Sequence, residues 1–261
     1  MSAKVFSSAE SIEVANSVGR LVVALQKQAL QSSSTFKIAL SGGSLGKVLK
    51  KSLIDNQEIA SQVQWDKWEV YFSDERLVPL NHPDSNFGLF NELVLAELPA
   101  GTPKPKVYTI DESLLTGSDG QVAGADLEKD LAIAKDYQEK LPKDGKLDLI
   151  LLGCGPDGHT CSLFPGHKLL KERKELISLI SNSPKPPPRR ITFTFPVLEN
   201  ANTIAFVAEG AGKAPILKEI FTDKESKLPS KLVNDITTGV KVNWFVDHSA
   251  IEGVDVISSK Y

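Results

Sequence analysis

Residues 147–165 read LDLILLGCGPDGHTCSLFP, an apolar run that breaks into a glycine-rich loop. Leu147 to Leu152 has the length and composition of a buried strand, and the end of such a strand is where an open α/β sheet keeps its ligands. Gly153, Gly155 and Gly158 let the backbone turn tightly and approach a ligand closely. Pro156 and Asp157 add turn chemistry, and His159 is the one side chain there that titrates near neutral pH. On these residues alone His159 has two open readings, a catalytic group or a satisfied structural histidine.

Outward from this loop, helical and strand patterns alternate. Ile12 to Gln31 carries Val14, Val18, Leu21, Val22, Leu25 and Leu30 at three- and four-residue steps, a helical period. Phe36 to Leu40 reads as a strand ending at Ser41-Gly-Gly-Ser44, and Leu45 to Ile54 resumes a helical pattern. Trp68 to Phe72 is a second strand, ending at Ser73-Asp-Glu-Arg76. Helices are expected over Asn86 to Leu98, stopped by Pro99, over Asp126 to Leu141, and over Ala214 to Phe221. Thr116 to Gly124 is the best candidate for a flexible surface loop. Leu169 to Ile180 reads as charged and partly helical. Further strands are expected at Ile191–Phe195, Thr203–Ala208 and Val242–Val246. Strands alternating with helices argue for a mainly parallel sheet covered on both faces. SGGS, SDER, GPDGH and EGAGK each begin where an expected strand ends, so four motifs converge on one sheet edge.

Composition narrows the classes. A chain of 261 residues, 41% hydrophobic and 24% charged, suits one α/β domain over residues 1–261. Its net charge of −3 gives no broad attraction to nucleic acid or acidic lipid. Cys154 and Cys161 form no disulfide framework, which points to a reducing compartment. The first ten residues lack the basic and apolar regions of a signal peptide, and no apolar run reaches bilayer length. A cytoplasmic protein is expected.

Each motif has a bland reading beside the functional one. Gly42-Gly-Ser-Leu-Gly46 matches the nucleophile-elbow pattern G-x-S-x-G, but it follows the first clear strand, with little chain before it to supply an oxyanion loop. An anion cradle at a helix N-terminus and a plain structural turn are the other readings. Glu209-Gly-Ala-Gly-Lys213 fails as a Walker A motif on spacing, leaving a lysine beside backbone donors or a solvated surface lysine. Pro184 to Arg190 is a proline-stiffened segment carrying Lys185, Arg189 and Arg190, either an exposed linker or a rigid mount for phosphate-binding arginine. Asp74, Glu75 and Arg76 fit a solvated turn as well as a site. Cys154, His159 and Cys161, with His167 as a fourth, do not have zinc-ligand spacing, so no metal is expected.

Over nearly its full length the chain resembles the 6-phosphogluconolactonase family. The likeness rests on SGGS (41–44), FSDERLVP (72–79), DSNFGLF (84–90), LGCGPDGHTCSLFP (152–165), SPKPPPRRITFTFPVL (183–198) and FVAEGAGK (206–213). It implies a three-layer Rossmann-like α/β fold with a mainly parallel sheet flanked by helices, shared with the glucosamine-6-phosphate deaminases. The implied reaction is hydrolysis of 6-phospho-D-glucono-1,5-lactone to 6-phospho-D-gluconate, the second step of the oxidative pentose phosphate pathway. His159 then serves as base toward water and returns the proton to the leaving oxygen. Asp157 orients the loop or the imidazole, and Arg76 stabilises developing charge in an environment held by Asp74. Gly42, Gly43, Ser44, Arg190 and Lys213 fall to the phosphate at matching positions, with the choice between Arg189 and Arg190 open. No metal or organic cofactor is implied. The expected partner is a small sugar-phosphate lactone, with no nucleic acid and no membrane, and the chain is expected to act as a monomer with at most weak self-association. Deaminase activity and noncatalytic sugar-phosphate binding are the alternatives. In the deaminases, the resemblance implies, the D-G-H loop reaches a Glu just before a proline, whereas this chain has Phe164 before Pro165.

Overall fold

The strands of the computed structural model, which describes residues 3–261, are β1 (Lys4–Ser8), β2 (Phe36–Leu40), β3 (Trp68–Phe72), β4 (Asp74–Arg76), β5 (Lys106–Val107), β6 (Leu149–Gly153), β7 (Ile177–Ile180), β8 (Arg190–Phe193), β9 (Thr203–Ala208), β10 (Lys241–Asp247) and β11 (Ser258–Ser259). Eight of them make one sheet in the order β11-β1-β10-β9-β6-β2-β3-β5. Every pairing in it is parallel. Parallel strands need crossover connections, and the crossovers here cover both faces of the sheet. All six residues of β9 are therefore buried, TIAFVA without a polar break except its opening threonine.

Period-two alternation divides those buried side chains between two cores. Ile38, Leu40, Val70, Phe72, Leu149 and Leu151 face one layer, packed against the long helix Ser11–Ala29 and the helix beginning at Leu45. Ala39, Tyr71, Ile150, Leu152, Ile204, Phe206 and Trp244 face the other, together with Ile133 and Tyr137 of the helix Leu127–Lys140 and Leu217 and Ile220 of the helix Ala214–Thr222. This is the three-layer α/β arrangement. Gln26, fully buried on the long helix, accepts from Trp68 Nε1 at 2.7 Å and donates to the Gln62 carbonyl at 3.0 Å, so the helix is fixed to the sheet by a satisfied polar contact. Among the described residues no helix is long and apolar enough to cross a membrane.

Several local expectations need correction. A strand precedes Phe36: β1 pairs with β10 in the outer half of the sheet, and its short KVFSS alternation lacks the apolar run that marks the central strands. The two helices expected at Leu45–Ile54 and Asn86–Leu98 each begin α-helical and pass into a π-helical turn, at Lys50–Ile54 and Asn91–Leu95. Leu169–Ile180 holds only a short 3-10 turn, and its end is β7. That strand joins β8 and β4 in a small antiparallel sheet, ordered β4-β8-β7, because tertiary pairing overrides the charged run before it. In this sheet Arg76 lies opposite Arg190.

The expected loop at Thr116–Gly124 is tied down by Arg189. Its guanidinium donates to the Thr116 and Gln121 carbonyls at 2.6 and 3.0 Å while Nε and Nη2 reach the two oxygens of Asp130 at 2.8 and 2.5 Å. Both charged groups are buried, so removing one strands the other. Arg189→Ala is expected to lower the free energy of unfolding by about 3–5 kcal/mol in urea titration, and the Asp130→Ala/Arg189→Ala double variant by less than the sum of the single losses. Additive losses would show that the pair is not coupled.

Candidate active site

The four motif-bearing strands, β9, β6, β2 and β3, are consecutive neighbours in the sheet; the carboxyl ends of β6, β2 and β3 open into one cleft of about 180 Å³, and the segment after β9 reaches its margin through Lys213. Larger hollows exist, including one of about 550 Å³ at the opposite edge where β9 and β10 begin, but none of them contains the convergent charged groups described next. Gly42, Gly43 and Ser44 line one wall. A Cβ on Gly42 would stand 1.9 Å from Asn86 Oδ1, so glycine is needed there by close approach. Gly43 turns the chain with a φ of +67°. Asn86 in turn donates to the backbone carbonyl and Oδ1 of Asp74 at 2.8 and 3.0 Å, locking the Ser41–Ser44 turn against the start of β4.

His159 sits on the opposite wall. The Gly155 N–H donates to its carbonyl at 2.8 Å, folding the loop back on itself, and the imidazole lies so close to Gly155 that a Cβ there would be 2.0 Å from Nδ1. Nδ1 is 2.5 Å from Asp157 Oδ1. An ionised carboxylate only accepts, so Nδ1 carries the proton and Nε2 is left as the basic nitrogen. Phe164 stacks on the ring at a centroid distance of 4.8 Å. Burial pushes the His159 pKa below the ordinary histidine value, against the opposing pull of Asp157. Burial also works against ionisation of Asp157, but the hydrogen bond and charge of His159, with Lys185 adding to them, hold its carboxyl down at about 2. The pair is thus a permanent carboxylate orienting a neutral imidazole through the physiological range.

Charged groups from the small antiparallel sheet close the cleft. Asp74 is buried and accepts from Ser162 Oγ at 2.7 Å as well as from Asn86. Arg76 donates from Nη1 to the Asp84 carbonyl at 2.9 Å, while its buried Nε has no protein partner. Arg190 spends Nε on the Pro187 carbonyl at 2.9 Å and Nη2 on the carbonyls of Lys185 and Pro186 at 2.9 and 3.0 Å. Its Nη1 is the least committed nitrogen, 3.4 Å from Ser162 Oγ and 4.0 Å from Asp74 Oδ2. Burial and the neighbouring Arg76 charge lower the Arg190 pKa to about 10, which leaves it cationic at neutral pH. Glu75 is buried behind them, its oxygens accepting from the backbone N–H groups of Arg76, Asn86 and Phe87, and burial raises its pKa to about 7.

The structure therefore gathers Asp74, Arg76, Asp157, His159, Arg190 and the Gly42–Ser44 turn around one cleft. Lys213 stands at its margin, with Nζ donating to the Cys154 carbonyl at 2.5 Å. Arg189 points elsewhere, to Asp130, which distinguishes it from Arg190. Ser44 is exposed, and its Oγ has no hydrogen-bond partner among the described residues, so no base activates it as an elbow nucleophile would require. Among the described residues no group of three or more His, Cys, Asp or Glu side chains is placed to hold a metal ion. Cys154 and Cys161 are buried free thiols, both pushed up by burial. Lys185, Asn86, Ser162 and Phe164 were not assigned to the site from sequence. DSNFGLF and the loop containing Phe164 were visible as motifs, but the direction of an amide or hydroxyl across strands leaves no local signal.

Residues 9–244 match the family model described as glucosamine-6-phosphate isomerases/6-phosphogluconolactonase. The chain is 48% identical over 244 residues to 6-phosphogluconolactonase 3 of Saccharomyces cerevisiae, covering 92% of this chain and 93% of that one. It is 40% identical over 264 residues to the 6-phosphogluconolactonase of Rattus norvegicus, covering 98% and 95%. In fold it resembles the crystal structure of 6-phosphogluconolactonase from Leishmania guyanensis, with a TM-score of 0.81 at 23% identity over 98% of this chain and 100% of that one. The arrangement of strands and the relatives agree: the chain belongs to the glucosamine-6-phosphate isomerase/6-phosphogluconolactonase family.

Proposed function

We propose that this chain hydrolyses 6-phospho-D-glucono-1,5-lactone to 6-phospho-D-gluconate, the second step of the oxidative pentose phosphate pathway. The observation that carries the reading is the His159 imidazole, held by Asp157 through Nδ1 and stacked on Phe164 in a cleft lined by arginines. Water attack needs a neutral base, and Nε2 supplies one. It takes a proton from water as the oxygen adds to the lactone carbonyl carbon. When the tetrahedral intermediate collapses, the ring C–O bond breaks and the same proton passes to the departing ring oxygen. Asp157 keeps the tautomer and offsets the imidazolium charge between those two events. Arg76 is assigned to the oxyanion, its unpartnered Nε being a donor without an acceptor, and Asp74 holds its surroundings.

The phosphate is assigned to Gly42, Gly43, Ser44, Arg190 and Lys213. The Gly43 and Ser44 N–H groups have no acceptor among the described residues, and an ammonium that gives one donor to Cys154 retains two for a ligand. Arg190 offers Nη1 rather than a two-pronged contact, because its other edge is occupied by carbonyls. Deaminase chemistry is disfavoured at Phe164, where an aromatic ring occupies the place of the carboxylate needed to open a sugar ring. The reading needs no metal or organic cofactor. The two buried thiols support a reducing, cytoplasmic site of action. Residues 3–261 hold every group assigned a role, and we infer that one chain acts as a single catalytic unit, a monomer.

His159→Ala should lower kcat by about 10²–10⁴-fold, measured with freshly prepared lactone above its spontaneous hydrolysis. In the wild type, kcat/KM should hold level through pH 7 and fall on an acidic limb below about 6.5, because the folded histidine resists protonation. Turnover of the alanine variant near the wild-type rate would remove His159 from the mechanism, and a protein with no rate above the blank would be a binder only.

Removing either phosphate cation should cost about ten- to a hundredfold in kcat/KM, as expected for one charge-assisted hydrogen bond. The comparison is the ratio of kcat/KM for the phosphorylated lactone and for glucono-1,5-lactone in wild type, Arg190→Ala and Lys213→Ala. The ratio should fall in both variants. An unchanged ratio in both would place the phosphate at another end of the cleft.

A further inference from the structure

Lys185 belongs to neither the carboxylate–imidazole pair nor the phosphate assignment, yet its ammonium lies 3.1 Å from Asp157 Oδ1 and 3.2 Å from His159 Nδ1. Only the first contact is a hydrogen bond, since a protonated Nδ1 and an ammonium both donate. Asp157 Oδ1 thus accepts from two donors, His159 Nδ1 and Lys185 Nζ, that stand 3.2 Å apart. The approach of Lys185 is built into the chain. It is flanked by Pro184 and Pro186, which restrict the backbone. Its N–H donates to Ser183 Oγ at 3.2 Å, and its carbonyl accepts from Ser183 Oγ at 2.8 Å and from Arg190 Nη2 at 2.9 Å. The proline segment is therefore a strap that Arg190 ties to the small sheet and Lys185 ties to the catalytic loop.

We propose that Lys185 is a positioning residue for the reaction, clamping the Asp157 carboxylate in place and fixing a positive charge beside the His159 ring. The inference rests on the lactonase reading for its consequence in catalysis and on geometry for the contact itself. Without the ammonium, Asp157 Oδ1 loses one of its two anchors, and the imidazole loses a like charge that disfavours its protonation. The other groups acting on the ring are Asp157 on its own loop, Asp74 from β4, which favours the imidazolium, and Phe164, which stacks on it. Arg190 is one layer further, its guanidinium carbon 5.9 Å from the Phe164 ring centre. Lys185 is thus the cation in direct contact with the ring, and the carboxylates around it pull the other way.

The test compares wild type, Lys185→Met and Lys185→Arg by two readouts. In the free protein, the imidazole titration of His159 is followed by NMR. In turnover, the pH profile of kcat/KM is measured on both 6-phosphoglucono-1,5-lactone and glucono-1,5-lactone. Lys185→Met should raise the His159 titration midpoint by about one pH unit, the scale of a unit charge at this distance under water-like screening. The acidic limb should move up by the same amount on both lactones, and Lys185→Arg should restore most of it. An unmoved midpoint in the methionine variant overturns the proposal, and so does an arginine variant that behaves like methionine. A loss confined to the phosphorylated lactone also overturns it, since it would make Lys185 a phosphate ligand. Should the wild type prove inactive on lactones, the lactonase reading fails while the NMR titration still decides whether Lys185 governs His159.

Discussion

Parallel pairing with both faces buried is the constraint from which the rest of this molecule follows. Parallel strands point their carboxyl ends the same way, so every loop that leaves the sheet at that edge shares one volume. Because β9, β6, β2 and β3 are side by side, residues as distant in sequence as Gly42, Arg76, His159 and Lys213 leave the sheet within one neighbourhood. The strands themselves carry no chemistry. Their uninterrupted apolar runs supply the burial that holds the edge rigid, and the loops are free to be polar because they need not contribute to the core.

Holding charges at that edge creates a second problem, solved by the small antiparallel sheet. Asp74, Glu75, Arg189 and Arg190 are all buried, and an isolated buried charge is costly. Each is instead held by backbone or by a fixed partner: Asp74 by Asn86 and Ser162, Glu75 by three N–H groups, Arg189 by Asp130 and two carbonyls, Arg190 by the carbonyls of residues 185–187. The proline segment is suited to that acceptor role. Prolines have no N–H to satisfy, so a run of them can present carbonyls to a guanidinium without creating new unpaired donors. Arg76 and Arg190 both line the cleft, and their guanidinium groups keep nitrogens without a close acceptor, among them Arg76 Nε.

The central strands and the convergence of four motifs were legible in sequence because each rests on local pattern. Phe36–Leu40, Trp68–Phe72, Leu149–Gly153 and Thr203–Ala208 are found where the apolar runs are, and SGGS, SDER, GPDGH and EGAGK follow where those runs stop. β1 and β7 were not legible in the same way. KVFSS is a short alternation, and ISLI follows a charged run, so each becomes a strand only through a partner distant in the chain. The same limit applies to side chains. His159 stands out from composition, whereas Asn86 matters because a Cβ on Gly42 would strike it, and Lys185 matters because the proline segment reaches the Asp157–His159 loop. Neither relation has a local trace.

Phe164 is the position at which the proposed lactonase chemistry and the alternative deaminase chemistry part. A carboxylate beside His159 would favour the imidazolium and supply an acid–base pair suited to moving protons on a sugar ring. An aromatic ring does the reverse: it excludes water from one face of the imidazole and offers no charge to stabilise the protonated form. With Asp157 already bound to Nδ1, the remaining need is a neutral Nε2 facing the cleft, and burial against Phe164 favours that state. An activated ester requires only that water lose a proton as it attacks and that the proton be given back to the leaving oxygen. In the proposed reaction one histidine, His159, would carry out both transfers, so lactone hydrolysis places no demand for a second carboxylate at this position.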